Sequence, residues 1–76
     1  MKYNDIATAC RVLHSRIDTI GGQKVTEEFL TEYTLKAFAS PALEAITYAV
    51  SFSSPVNLDG EATIHRDGSM ELVPIR

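Results

Sequence analysis

The chain has 76 residues, 45% of them hydrophobic and 22% charged, with a formal net charge of −3 and one cysteine, Cys10. That length makes a single small globular domain over 1–76, with a thin core that buries only roughly 60% of the unfolded surface. The acidic balance argues against nucleic acid or an anionic membrane as partner; a lone cysteine excludes an internal disulfide, and no stretch approaches the ~18 apolar residues of a membrane span.

Asn4 or Asp5 is suited to cap a first helix, and Gly21-Gly22 to end it. Between them Ile6, Ala9, Cys10, Leu13, Ile17 and Ile20 recur at helical spacing and fall within a stripe about 100° wide. Thr8, Arg11, Ser15 and Asp18 occupy the other side.

A second helix begins at Thr26, an N-cap residue, with Glu27 and Glu28 at the positive end of the helix dipole. Val25 and Leu30 are spaced for a hydrophobic staple. Phe29, Leu30, Tyr33 and Ala37 make its main apolar face, while Leu35 and Phe38 point elsewhere. Ser40-Pro41 interrupts the run, because proline disfavours helical geometry in the residue before it.

The segment "ALEAITYAVSFSSP" supports two readings. As a helix it sets Leu43, Ile46 and Val50 on one stripe and Tyr48 and Phe52 on a second. As a strand, Ile46, Tyr48, Val50 and Phe52 alternate strictly with Thr47, Ala49, Ser51 and Ser53. The alternation favours a short helical turn at 41–45, a strand at 46–53 and a loop at 54–60.

"IHRDGSMELVPIR" reads as a closing hairpin around Asp67-Gly68. A two-residue turn sets Glu71 beside Ile64 on one face. A three-residue loop, Arg66-Asp67-Gly68, with Gly68 left-handed in a bulge, instead gathers Ala62, Ile64, Met70 and Leu72 on one face. Glu61, Thr63, His65 and Glu71 then share the other, so hydrophobic segregation selects the longer loop. Val73 and Ile75 fall on the polar face, and Pro74, which cannot donate to a ladder, makes the last strand an edge.

Chemistry-bearing residues are sparse. Cys10, His14 and Asp18, at i, i+4 and i+8, stack along one helix edge as nucleophile, base and orienting group. Side chains on successive turns of one helix do not enclose a substrate, no oxyanion loop follows, and Cys10 suits the core, which leaves a small enzyme using Cys10 and His14 as a minor alternative. Cys10, His14 and His65 lack metal-ligand spacing, and no metal or cofactor is expected. "GGQK" lacks the spacing of a phosphate-binding loop. Glu27, Glu28 and Glu32 read as a solvated helix face.

The expected fold is α+β, with two N-terminal helices packed on a C-terminal antiparallel sheet of three strands. The expected core is Ile6, Cys10, Leu13, Ile17, Phe29, Leu30, Tyr33, Ile46, Val50, Ile64, Met70 and Leu72. The alternative is three helices plus a β-hairpin, a winged-helix-like nucleic-acid-binding regulator, if 41–52 is helical. Its recognition helix would carry Glu44 and neither Lys nor Arg, leaving Arg66 alone at the hairpin tip. The expected function is a small, non-enzymatic, cytoplasmic protein-interaction or regulatory module. It would act through a sheet edge or homodimer surface at Thr63, His65, Glu71, Val73 and Ile75, on a protein partner or a second copy of the chain.

Overall fold

A computed structural model describes residues 1–53 and 58–75. Its elements in chain order are α1 (Ile6–Arg16), β1 (Ile17–Ile20), α2 (Glu27–Phe38), β2 (Ala45–Phe52), β3 (Leu58–His65) and β4 (Met70–Pro74). The strands form one sheet in the order β1-β2-β3-β4, every neighbour antiparallel. Helix side chains from Ala9, Cys10, Leu13, Leu30 and Phe38 meet Tyr48, Val50, Ala62, Ile64 and Met70 of the sheet in one buried cluster. The fold is therefore α+β with two helices, as expected, but the sheet has four strands rather than three, and its first strand lies between the helices in the chain.

The added strand corrects the reading of the first helix. Asp5 does cap α1, accepting from the Thr8 N–H at 2.8 Å, but the helix stops at Arg16. Ile17 turns extended (φ −121°, ψ 157°), and the Arg16 carbonyl accepts from the Ser53 N–H at 3.2 Å, beyond the end of β2. "IDTI" suits this outcome: its β-branched residues lose rotamer freedom in a helix and pack well in a sheet. The pair Gly21-Gly22 is then no helix stop but a two-residue hairpin turn. Both glycines have positive φ (59° and 82°), and Ile20 and Gln23 exchange backbone bonds of 2.8 and 3.0 Å across it.

Thr26 caps α2 by accepting from the Phe29 N–H at 3.0 Å. The buried face of α2 is Leu30, Thr34 and Phe38, not Phe29, Leu30, Tyr33 and Ala37 as the sequence suggests; Phe29 and Tyr33 are exposed. A buried hydrogen bond of 2.6 Å between Thr34 Oγ1 and Tyr48 Oη accompanies this rotation and satisfies both hydroxyls inside the core. Phe38 in turn lies under the guanidinium of Arg66, 5.4 Å from the ring centre.

Residues 41–44 form a turn and connection, not the expected helical turn, and 45–52 is strand, which removes the third helix of the winged-helix alternative. Leu58–Gly60 belong to β3 instead of the expected loop, whose remaining part, 54–57, lies outside the described residues. The closing hairpin has the three-residue register: Ile64 opposes Met70 and Ala62 opposes Leu72. Gly68 has φ 91°, its N–H bonds the His65 carbonyl at 3.0 Å, and His65 N–H bonds the Ser69 carbonyl at 2.8 Å. A Cβ at Gly68 would also stand 2.6 Å from the Tyr3 carbonyl oxygen, so conformation and space both demand glycine.

Candidate functional site

Among the described residues, those able to carry chemistry do not converge. Cys10 is fully buried, and that burial pushes its thiol pKa up, outweighing the hydrogen bonds to Thr34 and Thr31 that act the other way. A thiol of this kind is protonated at neutral pH and closed to substrate. His14 Nε2 lies 2.7 Å from the Val25 carbonyl oxygen. A carbonyl only accepts, so Nε2 carries the proton and ties α1 to the approach of α2. Asp18 is on β1, beyond the helix, where its Oδ1 takes the Lys24 ammonium at 3.0 Å. The alignment of Cys10, His14 and Asp18 along one helix, weighed as a minor alternative, therefore does not form. Among the described residues, no group of three or more His, Cys, Asp or Glu side chains is placed to hold a metal ion.

Arg66 is equally committed. Its Nε donates to the Leu43 carbonyl at 2.9 Å and its terminal nitrogen to the Ser40 carbonyl, while its own backbone N–H donates to the Glu44 carbonyl. This arginine locks the hairpin to the end of α2 and is not a free contact for a nucleic-acid backbone.

What the described residues leave open is the side of the sheet away from the helices. Strand alternation sends Ile46, Tyr48, Val50, Ala62, Ile64 and Met70 inward and the residues between them outward. Thr63, His65, Glu71 and Val73 all stand on this outer face, with Ile75 following at its rim. Thr63 opposes Glu71 across β3–β4, Glu61 opposes Val73, and Ile75 donates to the Asp59 carbonyl at 2.8 Å. Val73 is 52% exposed and Ile75 56%. His65 Nε2 is 3.7 Å from Glu71 Oε2, too far for a hydrogen bond, and has no other partner among the described residues. Along β2 the outward residues are Ala45, Thr47, Ala49 and Ser51, small side chains that leave a trough. Part of it is a groove of about 390 Å³ reaching from Thr19 and the Gly21-Gly22 turn across Ala49 to Asp59, Glu61 and Ile75.

The neighbouring edge is partly closed. Ladder bonds join His65 to Ser69 and Ile75 to Asp59. By alternation the backbone groups of Met70, Leu72 and Pro74 point away from β3. Those of Met70 are taken by Met1: Met70 N–H donates to the Met1 carbonyl at 2.7 Å, and the Met1 nitrogen donates to the Met70 carbonyl at 3.1 Å. Tyr3 N–H bonds the Gly68 carbonyl, and Lys2 Nζ reaches the Asp67 carbonyl at 2.6 Å. Proline has no N–H, so Leu72 is left with the one outward donor of β4. Sequence reasoning missed this cover, whose bonds join residues at opposite ends of the chain and leave no local signal.

Comparison of the chain with protein-family models, with curated proteins and with solved structures finds no match. None of its helices is long and apolar enough, among the described residues, to cross a membrane.

Proposed function

We propose that the protein is a non-enzymatic interaction module that holds a basic segment of a partner protein across the outer face of its sheet. The observation that carries this reading is the pairing of exposed aliphatics with acid on that face: Val73 and Ile75 stand beside Asp59, Glu61 and Glu71. The described strand residues bring no lysine or arginine there to neutralise the carboxylates. Apolar contact then supplies affinity, while the carboxylates select a cationic partner and steer its approach.

Two features favour side-chain docking over addition of a fifth strand. An added strand draws on backbone bonds along the edge, and beyond the Met1 cover β4 offers one N–H, that of Leu72, with the carbonyls of Leu72 and Pro74. The small residues of β2 make room for side chains laid on the sheet rather than beside it. A second copy of the chain on the same face would set like carboxylates against each other, so a basic partner suits it better.

The test is comparative capture from an extract of the native host. Partners retained by the wild-type domain at low salt are expected to be lost on Val73→Lys, and released from the wild type at roughly 1 M salt, where the screening length falls to about 3 Å. If Val73→Lys and Glu61→Lys both retain the same proteins as the wild type, this face is not the docking surface.

A further inference from the structure

We infer that the outward side of α2 is a self-association surface, on which two copies of the chain pack their second helices antiparallel about a two-fold axis. This is a separate surface from the sheet face. It begins from residues that ought to be buried and are not. Phe29 is 57% exposed and Tyr33 52%. Their rings are held in a chain that runs from solvent to core: Phe29 to Tyr33 at 6.2 Å between ring centres, Tyr33 to Tyr48 at 6.3 Å, and Tyr48 hydroxyl to Thr34. An aromatic surface braced in this way loses little conformational freedom on docking.

The surroundings extend the patch. Phe29, Glu32, Tyr33 and Lys36 follow i, i+3, i+4, i+7 spacing and so share one helix face. With Leu35 they line an open groove of about 610 Å³. Against it lies a hollow of about 80 Å³ walled by side chains of Ile20, Val25, Phe29, Leu30, Tyr33 and Tyr48. Apolar groups in such number at the rim of a 76-residue domain mark an interface rather than scattered surface residues.

Charge names the occupant. The polar members of the stripe are one acid and one base, Glu32 and Lys36, a turn apart. In an antiparallel pair with its axis near residue 34, Tyr33 stands close to its own copy at the centre. The Lys36 of each chain lies opposite Glu32 of the other and beside its Tyr33 ring, where it meets both a carboxylate and an aromatic ring. A parallel pair would set Glu32 on Glu32 and Lys36 on Lys36, so the pattern selects one orientation. The helix spans only about 18 Å, and a standard interface buries about 800 Å² per partner. The dimer is therefore expected to be weak, with a dissociation constant on the order of micromolar.

Sedimentation equilibrium of the full chain over a concentration series tests this. The wild type should shift with concentration from 8.4 kDa toward twice that mass. Tyr33→Asp should leave a folded monomer. Lys36→Glu should weaken association at least about tenfold, because the introduced carboxylate of each copy then faces Glu32 of the other. Glu32→Lys combined with Lys36→Glu should restore the dimer, since the exchange keeps the pair complementary only when the helices are antiparallel. Circular dichroism checks that each variant is folded. A wild type that stays monomeric at millimolar concentration overturns the proposal. So does a dimer that survives Lys36→Glu, or one that dissociates on Val73→Lys, which places the contact on the sheet. Val73→Lys otherwise affects partner capture and not mass, so the two surfaces fail or succeed separately.

Discussion

Asp67 shows how much structure one exposed side chain can organise. Its Oδ1 accepts from the Ser69 hydroxyl at 2.7 Å and from the Ser69 N–H at 3.0 Å, closing the turn ahead of β4. These bonds, the hydroxyl first, lower its pKa from 3.8 to about 2, with Lys2 adding a smaller pull in the same direction. A carboxyl depressed in the folded state contributes stability above its unfolded pKa and loses that contribution as pH falls through the folded value. Asp5, lowered by the Thr8 N–H at the start of α1, acts with the same sign. The melting temperature of the wild type is therefore expected to fall between about pH 4 and about pH 2 more steeply than that of Asp67→Asn. Melts at half-unit steps of pH check this, and parallel curves would mean the turn does not depend on the ionised carboxylate. Thr34 teaches the complementary lesson. It sits at the centre of the buried side of α2, fully enclosed, and its hydroxyl is satisfied by Tyr48. A threonine there breaks the apolar stripe in the sequence while completing it in space.

The elements divide by how their ends are set. Helix α2 announces its start through Thr26, Glu27 and Glu28, and the structure follows that local chemistry. Helix α1 announces its start through Asp5 but not its end. Ile17 and Ile20 continue the stripe from Leu13 at helical spacing, and residues 17–20 also make an acceptable strand. The choice rests with β2, which pairs Ile17 with Phe52 and Ile20 with Val50, and with Ser53, which takes the last helical carbonyl. The Gly21-Gly22 turn that follows is the hinge of this choice. At Gly22 (φ 82°) nothing lies within 4 Å of an added Cβ, so Gly22→Ala isolates the cost of conformation alone. A loss of about 1 kcal/mol in urea denaturation is expected. A neutral result would show that the turn tolerates a second geometry. The closing hairpin was readable to the register, because a slip of one residue would turn Ile64, Met70 and Leu72 out to solvent.

Across the whole molecule, distant segments are joined by a few side chains. Arg66 binds the carbonyls of Ser40 and Leu43 and covers Phe38, so the β3–β4 hairpin holds the end of α2 in place. Arg66→Ala is expected to cost about 2 kcal/mol, as hydrogen bonds from a charged donor and a stacked ring are lost together. Arg66→Lys should recover less than half, because an ammonium lacks the planar fork that serves two carbonyls. Chemical denaturation measures both, and a silent alanine variant would uncouple the hairpin from the helix. At this scale the nominated surface also changes character. Thr63, His65, Glu71, Val73 and Ile75 do gather on the outer side of the sheet. The β4 edge beside them is covered at its start by Met1–Tyr3, which moves the proposed docking from edge to face.

Taken alone, the amino-acid sequence determined the features that depend on neighbours along the chain. These are the cap of α1 at Asn4 or Asp5, the cap of α2 at Thr26, the alternation of β2, the Arg66–Gly68 loop and the register it imposes. Capping bonds, turn conformations and strand periodicity act within a few residues and leave their mark there. Only the tertiary structure decided where α1 ends, which way α2 turns and what closes the β4 edge. Each of those outcomes compares near-equal local options, and the balance is tipped by burial and hydrogen bonds with partners far away in the chain: Phe52 and Ser53 for Ile17 and Arg16, Tyr48 for Thr34, Met1 for Met70.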